Sequence, residues 1–242
     1  MVGGGAARMI TVLVEPGSIV AGAVAPVSVP EEHHLGVLRV EDGAEVRVVD
    51  GAGAIGWGRY RWKSPSVEVE RAERAAPAVP LVLAAGAGDK DRFTTLVEKA
   101  VELGATRIVP LVTEHSRSVS SRVRPAHREK LLHRAGQALK QSRNPWLPAI
   151  DAPLSLEDFL AGPLPRHRWL GDAAGEPPGP LAPDAALAIV IGPEGGLTDA
   201  EVGQLLREGF ARVALGPYVL RFDTAAVAAL TLAAHLRTRE PA

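Results

Sequence analysis

The stretch Ala188-Ile189-Val190-Ile191-Gly192-Pro193-Glu194-Gly195-Gly196-Leu197-Thr198-Asp199-Ala200-Glu201 limits what this chain can fold into more than any other. It opens with a continuous apolar run lacking a polar face. That describes a strand covered on both sides, as in a parallel sheet flanked by helices. The strand runs into glycines at 192, 195 and 196, which permit backbone angles and close approaches that a Cβ forbids. Thr198 is a good N-cap, and Glu201 completes a capping box for the helix that follows. A buried strand, a glycine turn and a helix N-terminus form the crevice where open α/β sheets hold small ligands, because unpaired backbone N–H groups point into it. The same glycines also suit a tight turn that binds nothing. No Gly-x-x-x-x-Gly-Lys-Ser/Thr is present, nor a Gly-x-Gly-x-x-Gly after a first strand, so a ligand held by its phosphate tail is not expected here.

The 242 residues allow one large domain or two small ones, and 46% hydrophobic with 23% charged residues is the mix of a globular protein with ample core. The absence of cysteine removes disulfides, thiolate metal sites and cysteine nucleophiles. No apolar run approaches the roughly 18 residues of a membrane span. The first eight residues lack the charged and apolar regions of a secretion signal, so the cytoplasm is the expected compartment. Adjacent His33 and His34 would point different ways on a helix with no third ligand nearby, and no metal is expected.

Residues 9–75 carry short apolar runs separated by turn signals, which predicts a small β-barrel. A short helix at 31–39 is expected to turn Leu35 and Leu38 inward. Alternation in Trp57-Gly58-Arg59-Tyr60-Arg61-Trp62-Lys63 puts Arg59, Arg61 and Lys63 on one strand face, suited to a solvated edge or to an RNA backbone. Ala75-Ala76-Pro77-Ala78-Val79-Pro80 reads as a linker. From 80 to 240 strands alternate with helices, the grammar of an α/β domain with a mostly parallel sheet and helices on both faces. Its first helix, at 89–103, places Phe93, Leu96, Val97, Ala100 and Val101 on one face. Between 117 and 143 eight bases, Arg117, Arg122, Arg124, Arg128, Lys130, Arg134, Lys140 and Arg143, stand against one acid, Glu129, in a chain of net charge −1. A charge run is usually a solvated helix face, but one this unbalanced fits a polyanion. Strands at 188–191 and 211–215 both end in Gly-Pro loops, at Gly192-Pro193 and Gly216-Pro217. As neighbours in a parallel sheet they would close one pocket.

Ile191-Gly192-Pro193-Glu194-Gly195-Gly196, taken with Leu215-Gly216-Pro217-x-x-Leu220-Arg221-x-x-Thr224-Ala225, resembles the trefoil-knotted SPOUT methyltransferases. Within them the chain is most similar to the RsmE family, which methylates N3 of a uridine in bacterial 16S ribosomal RNA. His33-His34-Leu35-x-Val37-Leu38-Arg39, Glu98-Lys99-Ala100-x-Glu102-Leu103-Gly104 and Gln141-Ser142-Arg143 extend the resemblance over nearly the whole chain. It implies a PUA-like RNA-binding barrel at 9–75, a knotted domain at 80–240 that binds S-adenosylmethionine, and a homodimer acting on small-subunit RNA or the assembled subunit. The chain departs from the family where Tyr218, Phe222 and Asp223 replace a usual Arg, Thr and Glu.

The cofactor residues implied are Thr113, Leu170, Gly171, Ile191, Gly192, Pro193, Gly195, Gly196, Leu215, Gly216, Val219, Leu220, Thr224 and Ala225, acting largely through backbone groups that do not depend on side-chain identity. The RNA contacts expected are His34, Arg39, Arg59, Arg61, Arg117, Arg122, Arg124 and Arg143. Uridine N3 carries a proton at neutral pH, so a catalyst must assist its loss or hold the anion. Arg221 is the candidate for the anion; Glu194 and Asp223 are candidates for the proton. Each also has a structural reading: an ion pair for Arg221, turn hydrogen bonds for Glu194, an N-cap for Asp223. A binding protein without catalysis, or a related enzyme acting on another RNA position, remains open from these residues.

Overall fold

In a computed structural model of the chain, residues 9–119 and 121–238 are described. They fall into two compact units. One runs to Pro77 and also takes in Leu139–Leu147; the other comprises Ala78–Ala138 and the chain from Pro148 onward. The segment Leu139–Leu147, expected within the second domain, thus clusters with the first unit.

The first unit holds β1 (Ile10–Leu13), β2 (Val24–Pro26), α1 (Val29–Val37), β3 (Glu45–Val49), β4 (Ala54–Arg61) and β5 (Ser66–Arg74). The strands form one mixed sheet in the order β1-β3-β4-β5-β2, in which β1 runs parallel to β3 and the other pairs are antiparallel. Among the described residues its two end strands each pair on one side only, so the hydrogen-bond path is open where a closed barrel is expected. Alternate residues of the strands, with Leu35 of α1, make the core: Val12, Val46, Val48, Tyr60, Val67 and Val69. Leu38, expected inward, is 49% exposed. The helix ends at Val37, and Arg39 in the left-handed region (φ 53°) swings the chain off the helix face. Beneath α1, Lys140 Nζ meets Glu31 Oε1 at 2.6 Å, a pair almost wholly out of solvent.

The second unit begins with β6 (Leu81–Gly86), α2 (Lys90–Glu102), β7 (Arg107–Val112), α3 (Glu114–Arg117) and α4 (Arg128–Ser142), whose last residues belong to the first unit. β8 (Ala149–Ile150), β9 (Leu154–Ser155), α5 (Leu156–Ala161), β10 (His167–Glu176) and β11 (Leu187–Ile191) follow. α6 (Asp199–Arg207), β12 (Ala211–Val213) and α7 (Phe222–Thr238) complete it. The sheet is parallel in every pair, in the order β12-β10-β11-β6-β7-β8, with β9 also on β7. β6 and β11 lie side by side at its centre and every residue of both is buried, which is why they read as unbroken apolar runs. Asp89 caps α2 by accepting from the N–H groups of Asp91 and Arg92, and the expected face of α2 is buried.

One expectation about the sheet is overturned. The strands that end in Gly-Pro loops, β11 and β12, are not neighbours, because β10 lies between them and pairs with both. Chain order cannot settle lateral order here, since a crossover connection can pass over an intervening strand. β10 is also far longer than the three residues expected at 168–170. Its second half returns to β12 after a register shift, with Glu176 opposite Val213.

Candidate active site

The middle of β10, the C-terminal end of β11 with the turn beyond it, the loop after β12 and the start of α7 enclose a cavity of about 450 Å³. Six of the residues expected to hold a cofactor line it from β10, β11 and the turn beyond: Leu170, Gly171, Ile191, Gly192, Pro193 and Gly196. Leu215, Gly216, Val219, Leu220 and Ala225 line the opposite side, and Glu194 and Arg221 stand at the wall with them. Both Gly-Pro loops therefore reach one cavity although their strands are separated, because the middle of β10, at the register shift after Gly171, fills the gap between them.

Four expected residues do not line it. Thr113 is buried and caps α3, its hydroxyl accepting from the Ser116 N–H. Gly195 faces away, and a Cβ there would press on the side chain of His115. Thr224 is exposed on α7. Asp223 lies in the first turn of α7 rather than at its N-cap, and its Oδ1 is buried with no hydrogen-bond partner among the described residues. The cavity also recruits residues that sequence reading missed. Asp172 and Ala173 were hidden by ending the strand at 170. Leu197 and Val202 come from the approach to α6 and its inner face, and Tyr218 and Phe222 from the positions that depart from the family pattern.

Neighbouring loops hold the central turn in place. Gly86, at the end of β6, backs onto Pro193 so closely that any Cβ would overlap its backbone. Glu194 lies over Gly88, and its Oε1 accepts weakly from the Asp89 N–H at 3.4 Å, a contact to the loop after β6. Gly196 takes φ 72°, a left-handed angle costly for other residues. Its carbonyl oxygen is 3.1 Å from His115 Nδ1, a contact that places the hydrogen on that nitrogen. Glu201 does more than close its capping box. One carboxylate oxygen accepts from Thr198 N–H and Oγ1 (2.8 and 3.0 Å), while the other accepts from the Glu114 N–H at 2.9 Å, tying the start of α3 to the start of α6.

The lining suits S-adenosylmethionine, the cofactor implied by the resemblance. The volume lies in the ordinary range for small-molecule sites. Leu170, Ile191, Leu215, Leu220 and Phe222 offer an apolar bed for a flat ring, and the glycines at 171, 192 and 216 line it with backbone alone. Asp172 and Glu194 supply carboxylates beside which a cationic ligand is favoured. Asp172 is also drawn to Arg212 at 3.3 Å. Arg221 is exposed and makes no ion pair among the described residues, so the structure gives no support to its structural reading.

The expected RNA contacts are divided by their partners. Arg59 pairs with Glu70, and Arg61 with Glu68 and Asp42, so the strand face is largely neutralised by its own sheet. Arg117 pairs with Glu114, and Arg122 turns its guanidinium to the Arg117 carbonyl. Lys130, Arg134 and Lys140 meet Asp91, Glu98 and Glu31, acids distant in sequence. Arg39, Arg124 and Arg143 are exposed and make no ion pair among the described residues. His34 is half-buried beside the core residue Leu35, whereas His33 is exposed and lines a second cleft, in the first unit. No cluster of three or more metal-ligating side chains occurs among the described residues, and no helix there is long and apolar enough to cross a membrane.

Residues 75–234 match the RNA methyltransferase domain family. The ribosomal RNA small subunit methyltransferase E of Synechocystis is 27% identical over 90% of this chain and 75% of its own length. That of Mycobacterium bovis is 31% identical over 90% and 88%. A crystal structure of the Neisseria gonorrhoeae enzyme of that name, bound to S-adenosyl methionine, superposes with a TM-score of 0.81 at 25% identity, over 93% of this chain and 96% of that one. The cavity of this chain accords with these likenesses, and the chain belongs to the RNA methyltransferase domain family, among the small-subunit ribosomal RNA methyltransferases E.

Proposed function

We propose that this protein uses S-adenosylmethionine to methylate N3 of a uridine in 16S ribosomal RNA. The observation that carries the reading is the cavity shared by the middle of β10, the end of β11 and the loop after β12, with Arg221 and Glu194 both at its wall. Backbone groups of Gly171, Gly192, Leu215 and Gly216 hold the adenosine portion, Leu220 covers the ring, and the carboxylate of Asp172 or Glu194 lies toward its cationic part. S-adenosylmethionine supplies an activated methyl group and its own leaving group. The chain's task is then to align the base with it and to manage the N3 proton. Arg221, exposed at the rim, holds the negative charge that develops on the uracil when that proton leaves. Of the two candidate acceptors Glu194 is the better placed, because it lines the cavity and Asp223 does not. A nitrogen nucleophile also suits a chain without cysteine, since methylation at pyrimidine C5 ordinarily proceeds through a thiolate adduct.

The finer architecture is part of the same proposal. The first unit acts as a PUA-like RNA-binding domain and the second as a knotted SPOUT domain in a cytoplasmic homodimer. In support of the knot, the chain leaves the sheet edge at β12 and returns as α7, which packs against α2, β6 and β11 at the sheet's centre. Tyr218 and Val219, 81% and 89% exposed on the loop that walls the cavity, are apolar surface of the kind a second subunit would cover.

Nucleoside mapping of 16S RNA from cells with and without the protein tests the assignment. Methylation at N3 removes the hydrogen that pairs with adenine, so reverse transcription is expected to stop at one uridine in the first sample only. Purified protein should restore the stop when given the RNA or small subunits and S-adenosylmethionine. An identical modification pattern in both samples, or a methyl group on another atom, refutes it.

A further inference from the structure

The first unit contains a cleft that the methyl-transfer chemistry leaves unused. Val29, His33 and Val37 of α1 line it together with Arg39, just beyond the helix, and with Tyr60 and Trp62. The cleft measures about 730 Å³. Its rim is unusually apolar for a surface, with Val29 77%, Val37 68% and Trp62 56% exposed. Trp62 stands just beyond β4, where its backbone N–H donates to Asp42 Oδ1 at 3.0 Å, so the indole is presented from an anchored position. Arg39 is one of two non-glycine residues with positive φ among those described. It occupies the left-handed position after α1, between Leu38 and Val40, whose N–H groups donate to His34 O and Leu35 O. Glycine is the residue such a helix end favours. A cation kept where the backbone resists it, next to an exposed aromatic ring, points to use of its side chain.

We propose that this cleft holds an unpaired nucleobase of the RNA substrate, stacked on Trp62, with Arg39 on the adjoining phosphate. The proposal rests on the reading of the chain as an RNA methyltransferase. Stacking on an aromatic face tolerates any base, and the valines cover its edges and ribose. Glu32, also in the cleft, is the acceptor for an N–H on the base edge and keeps the phosphate on the Arg39 side. The paired state of Arg59 and Arg61 favours this cleft, with Arg39 free of any ion pair among the described residues, over their strand face as the place that meets RNA. His33 faces the cleft, where the sequence pointed to His34.

The test titrates the full-length protein with a fluorescein-labelled single-stranded oligouridylate over a range of salt, beside calorimetry with S-adenosylmethionine. Trp62→Ala should weaken RNA binding about tenfold or more, and Trp62→Phe should recover most of it. Arg39→Gly should weaken binding and lower the salt slope by about one. Because glycine takes φ 53° without strain, its melting temperature should not fall, so the loss cannot be ascribed to misfolding. Neither variant should change cofactor affinity. If both bind RNA as tightly as the unaltered protein, the stacking site is overturned while the methyltransferase reading stands. Dissociation of a dimer in Trp62→Ala with unchanged RNA affinity also overturns it, in favour of a protein partner. Unaltered protein that binds neither RNA nor cofactor overturns the methyltransferase reading and the stacking site with it.

Discussion

Replacing Glu201 by Ala separates helix capping from the shaping of the cofactor cavity. The carboxylate accepts two hydrogen bonds from Thr198 and one, at 2.9 Å, from the backbone N–H of Glu114 on another loop. Losing the reciprocal half of the capping box, while the Thr198 hydroxyl still caps the helix, should cost about 0.5–1 kcal/mol of stability. Hydrogen bonds to a charged acceptor contribute about 1.5–3 kcal/mol, and because Glu114 is exposed, water replaces part of this, leaving about 1–1.5 kcal/mol for the tie between loops. That tie steadies the turn whose Gly196 carbonyl is also held by His115, so its loss should appear in the cavity. The variant should bind S-adenosylmethionine about tenfold more weakly by calorimetry. Its melting temperature without cofactor should fall by about 5 °C for the sum of both terms. Thr198→Ala is the control, since it removes the cap hydroxyl and leaves the Glu114 contact intact. Its stability should drop while its cofactor affinity stays within about twofold of the unaltered protein. Equal cofactor affinities in the two variants would refute the reasoning, for Glu201 would then be a helix cap and nothing more.

Arg221→Ala should abolish methyl transfer and leave cofactor affinity nearly intact, because the guanidinium is assigned to the uracil anion. Equal activity of the two proteins in a filter-binding methylation assay removes it from the mechanism. Lys140→Met should destabilise the first unit by about 3–5 kcal/mol in urea titration, since it strands the buried Glu31 carboxylate, whereas the pair Lys140→Met with Glu31→Leu should recover most of that. A loss below about 1 kcal/mol in the single variant would mean that water reaches the pair.

Periodicity and turn chemistry made much of the fold readable. The buried face of α2, the all-apolar β6 and β11 and the capping box of α6 follow from residues within a few positions of one another. The limits of such reading are equally physical. Leu38 has the helical spacing of a core residue but falls one position past the end of α1, just before a backbone reversal at Arg39 that no glycine announces. The basic segment at 117–143 looked unbalanced because its counter-charges, Asp91, Glu98 and Glu31, lie far away in sequence. Asp172 was missed because a strand's length depends on the partner it finds, and β10 finds β12 twice.

Residue order alone determined that a buried strand, a glycine turn and a capped helix would meet at 188–201, because those preferences are satisfied between near neighbours. Only the tertiary structure decided that β10 slips between the two Gly-Pro strands and carries an aspartate into the cavity, and which cations remain unpaired at the surface. Lateral strand order and charge pairing are settled by elements dozens of residues apart, whose contacts exist only once the chain has closed on itself.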